Sequence, residues 1–171
     1  MKEYVIRDAR PEDAARLVEI YAPYVRNTAV SFEYEVPSEE EFRGRIDKIL
    51  KKYPYLVCLL DGKIVGYVYA SDYGTRKAYS WTAMTSIYLD EAYRRMGIGS
   101  RLYRELEKRL KDMGIVNLLA GVAFAEEEDE YITHDSYRFH LNQGYEKVAH
   151  MKAIGKKFDR WYDLLWLQKR I

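Results

Sequence analysis

Between residues 79 and 113 the pattern of apolar and polar positions changes period, and the rest of the chain is organised around that change. Tyr79 to Leu89 is rich in β-branched and aromatic residues and predicts a strand. A loop follows over Asp90 to Arg95, and then a helix with Ile98, Leu102, Leu106, Leu110 and Met113 on one stripe. Arg101, Arg104, Glu107, Lys108 and Lys111 fall off the stripe, and Gly114 stands where a helix stop is expected.

The flanking segments read in the same terms. Val5 and Ile6 begin a short strand, and Pro11-Glu12-Asp13 opens a helix with Ala14, Leu17, Val18, Tyr21 and Val25 as its buried face. Residues 27–36 look irregular, with Val30, Phe32 and Tyr34 alternating. Ser38 and Glu41 have capping-box spacing for a helix running to about Lys52, which Pro54 ends. Two apolar runs, Tyr55 to Leu60 and Ile64 to Ala70, flank Asp61-Gly62 and predict a hairpin. Asn117 to Phe124 is nearly continuous apolar sequence and predicts a buried strand. A short helix through Tyr137, His140 and Leu141, capped by Thr133 or Asp135, stops near Gly144; a last hairpin covers 145–154 and 160–167. Strands mixed with crossover helices predict an α/β (α+β) domain on one mixed sheet.

Composition narrows the function classes. A length of 171 residues suits one domain with a substantial core. A formal charge of +1 offers no bulk field for nucleic acid or an anionic membrane. The single cysteine, Cys58, excludes a disulfide framework and a cysteine-based metal site, and no metal is expected. No apolar run approaches the roughly 18 residues of a membrane helix. The charged N-terminal run does not read as a signal peptide, so a reducing cytoplasm is the expected home. The 17 tyrosines suit cleft walls and subunit interfaces. Glu126 to Glu130 reads as a solvated acidic loop and His134 as an exposed loop residue.

The candidate chemistry lies at the period change. Gly97 and Gly99 lack Cβ atoms, so a ligand could approach the backbone closely. The first N–H groups of a helix have no partner within it, and its dipole favours an anion there. Together they would seat a pyrophosphate, with Arg94 and Arg95 adding charge at the rim. A glycine-rich start to an ordinary crossover helix is the alternative. The stretch lacks the Lys-Ser/Thr of a P-loop, and no acidic residue follows at dinucleotide-fold spacing.

Several segments together carry a family likeness: Ile6-Arg7-Asp8-Ala9, Tyr53 to Val57, Gly66 to Ala70, Ala78-Tyr79 with Trp81-Thr82, Ser86 to Leu89, Arg94 to Gly99, Phe139-His140 with Gly144-Tyr145, and Lys157 with Arg160 to Asp163. The chain resembles the GNAT superfamily of acetyl-CoA-dependent N-acetyltransferases, and within it the phosphinothricin acetyltransferase group. The resemblance implies the GNAT fold, a mixed central sheet of six to seven strands flanked by helices. It implies acetyl-CoA as co-substrate and a small amino-acid-like acceptor of phosphinothricin or methionine sulfoximine type. Arg94, Arg95, Met96, Gly97, Ile98, Gly99, Ser100 and Ser136 would hold the cofactor. Ile87, Tyr88 and Leu89 would pair with its pantetheine arm as a short extra strand, which places the thioester near Thr85 and an oxyanion donor near Ile87. Relatives of this group form homodimers, so a homodimer is expected.

The chain departs from the family at one position. Relatives usually carry a Glu on the central strand to deprotonate the amine; here that position is Met84. A thioether cannot take a proton at neutral pH. Another group then relays the proton, or the acceptor arrives partly neutral, or the chain is a CoA-binding relative with little turnover. His140 leads the candidate replacements, because an imidazole shuttles protons near neutrality; Tyr137 and Tyr79 are lesser ones. The acceptor pocket is expected from Phe32, Tyr34, Tyr73, Arg76, Tyr79 and Trp81, with Arg76 shaped for a carboxylate or phosphinate.

Overall fold

Asp61 and Gly62 both take positive φ, 50° and 82°, so the two-residue turn twists with its strands and the predicted hairpin forms. In the computed structural model, which describes residues 3–171, its arms are β2 (Tyr55–Leu60) and β3 (Lys63–Asp72). β1 (Tyr4–Asp8) pairs with β2, and β4 (Thr82–Leu89) with β3. β5 (Asn117–Phe124), β6 (Glu146–Lys157) and β7 (Arg160–Arg170) complete a seven-stranded sheet in the order β1-β2-β3-β4-β5-β7-β6. Only β4 and β5 run parallel.

Helices cover both faces. α3 (Ile98–Asp112) lays Leu102, Leu106 and Leu110 on Leu56, Val68, Ala83 and Leu118. α1 (Ala14–Asn27) and α2 (Glu39–Leu50) close the other face through Leu17, Val25, Phe42 and Ile46, packed on Tyr55, Val57 and Tyr67. α4 (Asp135–Asn142) packs beside α3, at the end of β5. Ser38 Oγ accepts the Glu41 amide at 3.1 Å, one half of the expected capping box; the Glu41 carboxylate turns to Arg45 instead.

Two expectations need correction. The central strand starts at Thr82, not Tyr79. Lys77–Tyr79 is one 3₁₀ turn, and the Trp81 carbonyl accepts from Val116 and Asn117. The reason is pairing: β3 ends opposite Ala83 and β5 begins opposite Thr82, so residues 79–81 have no neighbouring strand and their β-propensity goes unused. Met113 is 47% exposed and does not complete the α3 stripe. Gly114, at φ 84°, turns the chain, the Ile115 amide returns to the Leu110 carbonyl, and Ile115 fills the core position.

The segment between α1 and α2 is irregular, as expected, but it is held from outside. Lys157, at the end of β6, is 4% exposed and donates to the carbonyls of Val25, Thr28 and Ser31 at 2.7–2.8 Å. Phe32 lies so close to Gly155 that a Cβ there would come within 2.5 Å of its ring. Lys157→Met leaves three carbonyls without their donor, at about 1–3 kcal/mol for each that stays buried and unsatisfied. It should lower stability by roughly 3 kcal/mol or more, read as a fall in the urea midpoint; an unchanged midpoint contradicts this account of the loop.

Candidate active site

β4 and β5 part company soon after they meet. Their register covers only Thr82–Asn117, Ala83–Leu118 and Met84–Leu119. Beyond that a cavity of about 500 Å³ opens between Thr85–Leu89 on β4 and Ala120–Ala123 on β5. The first turn of α3 and residues Ser136, Phe139 and His140 of α4 enclose the rest, and Tyr24 and Val30 reach it from the α1 side.

The edge of β4 that faces this gap carries free backbone groups. The Leu89 carbonyl and amide meet Tyr24 Oη, at 2.6 and 3.3 Å, so they point away from β3. With a strand period of two, the N–H and C=O groups of Thr85 and Ile87 point the same way, the Thr85 N–H toward the Leu119 carbonyl and the other three toward the gap. Leu89 is therefore already paired with a side chain, and the Thr85 amide is spent on the Leu119 carbonyl in the last β4–β5 pair, so the Thr85 carbonyl and the Ile87 amide and carbonyl are the groups open to a ligand strand.

At the end of the cavity, Gly97 sits at φ 76° and α3 starts with no side-chain cap. Gly97–Ser100 therefore presents first-turn amides to the cavity. Arg95, also at positive φ (62°), extends an 88% exposed side chain, and Arg94 lies 5.1 Å over the Tyr24 ring. A Cβ on Gly97 would meet nothing within 4 Å, so its glycine answers to φ. A Cβ on Gly99 would lie 2.9 Å from the Phe139 ring, so that glycine, which also lines the cavity, is required by helix packing. Met96 packs against the core, outside the cavity lining.

His140 lines the cavity and is 4% exposed. Its Nδ1 lies 2.7 Å from the Ser136 carbonyl, which can only accept, so Nδ1 carries the proton and Nε2 accepts from Tyr103 Oη at 2.9 Å. Tyr103 Oη and Tyr145 Oη each lie 3.1 Å from Thr85 Oγ1. One assignment spends every hydroxyl proton once: Tyr145 to Thr85, Thr85 to Tyr103, Tyr103 to His140. Burial holds the His140 imidazole below its usual pKa and pushes the Tyr103 and Tyr145 hydroxyls up. Tyr103 and Thr85 had no sequence signal as polar groups, since their periodicity is that of core residues.

Met84, with Ser86 and Tyr88, faces α1 and α2, away from His140. Tyr137 packs edge-on against Phe124, outside the cavity lining. Asp135 is the first residue of α4 and caps nothing; its own amide is met by Thr133 Oγ1 at 3.4 Å. His134 is not exposed: its ring stacks on Phe124 at 4.7 Å and Nε2 reaches the Ala125 carbonyl. Tyr73 and Tyr79 pack edge-on at 5.0 Å and stand at the surface with Trp81 and Arg76. Tyr34 is 70% exposed and donates to the Lys156 carbonyl. None of these four aromatics, nor Arg76 or Phe32, lines the 500 Å³ cavity.

The acidic loop is braced rather than merely solvated. Asp129 accepts from Tyr131, Ile132, Arg160 and Tyr162. Nearby, Glu126, His150 and Asp163 bring one ligand atom each within 4.8 Å of one another. Asp163 already bonds His150 Nε2 and the Ala153 amide, so the group braces the β6–β7 bend.

A mixed sheet that opens at one strand pair, beside a helix with a bare N-terminus, is the architecture of an acyl-CoA-dependent transferase. The acetyltransferase (GNAT) domain family matches residues 6–166, and the chain belongs to that family of N-acetyltransferase enzymes. It is 34% identical over 165 residues to a phosphinothricin N-acetyltransferase of Alcaligenes faecalis, covering 96% of this chain and 81% of that one. It is 28% identical to that of Streptomyces viridochromogenes, over 96% and 86%. Among solved structures, a GNAT superfamily phosphinothricin acetyltransferase from Sinorhizobium meliloti in complex with acetyl-CoA superposes with a TM-score of 0.88 at 34% identity, over 98% and 88%. No helix of the described residues is long and apolar enough to cross a membrane.

The buried imidazole has a consequence for stability. Below pH 6.5 the unfolded chain protonates His140 while the folded chain still holds it neutral. Stability is therefore full above about pH 6.5 and falls as pH drops toward the folded-state value. Melting temperature should decline between pH 6.5 and 5, and His140→Phe should flatten that decline; an equal slope in the variant contradicts the assignment.

Proposed function

We propose that this chain transfers the acetyl group of acetyl-CoA to the amine of a small amino-acid-like acceptor, of the phosphinothricin or methionine sulfoximine type. The opening between β4 and β5 after the Met84–Leu119 pair carries the reading. Amides of residues 97–100, with Arg94 and Arg95, would hold the pyrophosphate. The free edge from the Thr85 carbonyl to Ile87 would pair with the pantetheine arm, and the Ile87 amide would stabilise the oxyanion. His140, through Tyr103 and Thr85, offers a path for a proton at the thioester end. Tyr73, Arg76, Tyr79 and Trp81, with Phe32 and Tyr34, would form the rim by which the acceptor enters. The names of the relatives support the acceptor class. A homodimer would cover the exposed Val148, Met151, Ile154 and Trp161 of the β6–β7 hairpin, and a reducing cytoplasm fits the buried thiol of Cys58.

Met84 favours a second reading, a CoA-binding relative with little turnover. Thiol release with a panel of amino acids, phosphinothricin and methionine sulfoximine separates the two: turnover of at least one amine supports the first, and tight CoA binding without turnover the second. In an active parent, Met84→Glu should raise kcat by offering a direct base; unchanged or lower rates on an accepted substrate contradict a limitation at this position. Gly97→Asp places a carboxylate, in a strained φ, beside the pyrophosphate seat. Calorimetry should show acetyl-CoA affinity falling by about a hundredfold or more, on the order of 3 kcal/mol; parental affinity refutes the seat.

A further inference from the structure

Two buried side-chain atoms lack a hydrogen-bond partner among the described residues, Glu33 Oε2 and Tyr67 Oη. Both belong to the layer between α1, α2 and the sheet, on the face of β4 that carries Met84. A second cavity of about 390 Å³ lies in this layer, walled by Tyr21, Arg45, Tyr67 and Tyr69 and separated from the larger cavity by Tyr88, which lines both.

Glu33 is held there from three sides. Its amide donates to Ser31 Oγ at 3.1 Å, and Ser31 Oγ lies 2.7 Å from Tyr21 Oη. Its Oε1 pairs with Arg45 at 2.8 Å. Its loop is tied down by Lys157. Burial pushes the hydroxyls of Tyr21, Tyr69 and Tyr88 up, Tyr21 to about 12, and the nearby Glu33 charge adds to each shift. Tyr69 is the cross-strand partner of Ser86, and Tyr88 is the next residue on that face. Tyr21, joined to Glu33 through Ser31, packs 4.9 Å from the Tyr88 ring, and Arg45, the ion-pair partner of Glu33, walls the second cavity together with Tyr69 and Tyr88. Asp72, which lines the second cavity, is committed to Lys52 and Tyr53.

We infer that Glu33 Oε2 anchors the acceptor's ammonium group and takes the proton that a carboxylate at position 84 would otherwise take. An unpaired carboxylate oxygen among tyrosine rings suits an ammonium, by charge and by the ring faces. The Glu33 carboxylate accepts one proton from R–NH3+, leaving R–NH2. The amine attacks the acetyl carbonyl, forming C–N; the C–S bond breaks and the CoA thiolate leaves. The second nitrogen proton passes to the thiolate, giving the amide and CoA–SH, and Glu33 returns its proton to solvent. The groups facing Glu33 are Tyr21 from α1, Arg45 from α2, Tyr69 from β3, Tyr88 from β4 and Lys157 from β6.

This inference rests on the acetyltransferase reading above, and the test separates the two. In an active parent, Glu33→Gln should lower kcat/KM by about a hundredfold or more while acetyl-CoA affinity, by calorimetry, stays unchanged. The variant's kcat/KM should rise tenfold per pH unit up to the amine's own pKa, where the parent's profile is flatter. Adding Met84→Glu to Glu33→Gln should restore at least tenfold, which a merely structural Glu33 would not allow. Parental kcat/KM and pH profile in Glu33→Gln, or no rescue by Met84→Glu, overturns the role of Glu33 alone. A parent that binds acetyl-CoA and turns over no amine overturns the acetyltransferase reading, and this inference with it.

Discussion

The parting of β4 from β5 is the constraint on which the site depends. A strand inside a sheet normally spends its N–H and C=O groups on both neighbours. β4 pairs with β3 from Ala83 to Leu89, but with β5 for only three residues. The Thr85 carbonyl and the amide and carbonyl of Ile87 are thus left facing a cavity, deep in a sheet covered by helices. Such groups are costly to bury without partners, so they favour an occupant that supplies amides and carbonyls in return. Tyr24 caps the far end of the edge at Leu89 and so sets the length that remains.

The two faces of β4 divide the chemistry. Toward α3, Thr85 enters a closed chain of hydroxyls that ends on a neutral, buried imidazole. Toward α1 and α2, Met84, Ser86 and Tyr88 look into a tyrosine-walled layer that holds a carboxylate oxygen with no partner. A reaction that moves one proton off an amine and another onto a thiolate needs separate places for each. The strand supplies that separation because its side chains alternate between faces.

Local chemistry made much of the fold legible in the residues. Asp61-Gly62 specified its turn, Ser38 its cap, Gly114 and Gly144 their helix stops, and the apolar run 117–124 its strand. What failed locally failed because a partner was missing or supplied from far away. Tyr79 to Trp81 has strand composition but no strand to pair with. Lys157, which looks like a surface lysine, closes on carbonyls more than a hundred residues earlier. The loop 94–100 and the candidate Met84 stood out by motif, but Tyr103, Thr85 and Glu33 did not, since long-range contacts alone give them polar roles. The motif also gave no sign that the missing Cβ of Gly99 makes room for Phe139.

The central claim is that the open edge of β4 and the bare start of α3 together receive acetyl-CoA. Amide hydrogen exchange of the whole chain, with and without saturating acetyl-CoA, tests it most directly. The account predicts slowed exchange at Ile87 and residues 98–100, with Thr85, already bonded to β5, and Ser86 and Tyr88, already bonded to β3, little changed. Equal exchange at Ile87 and 98–100 in the two states would contradict it.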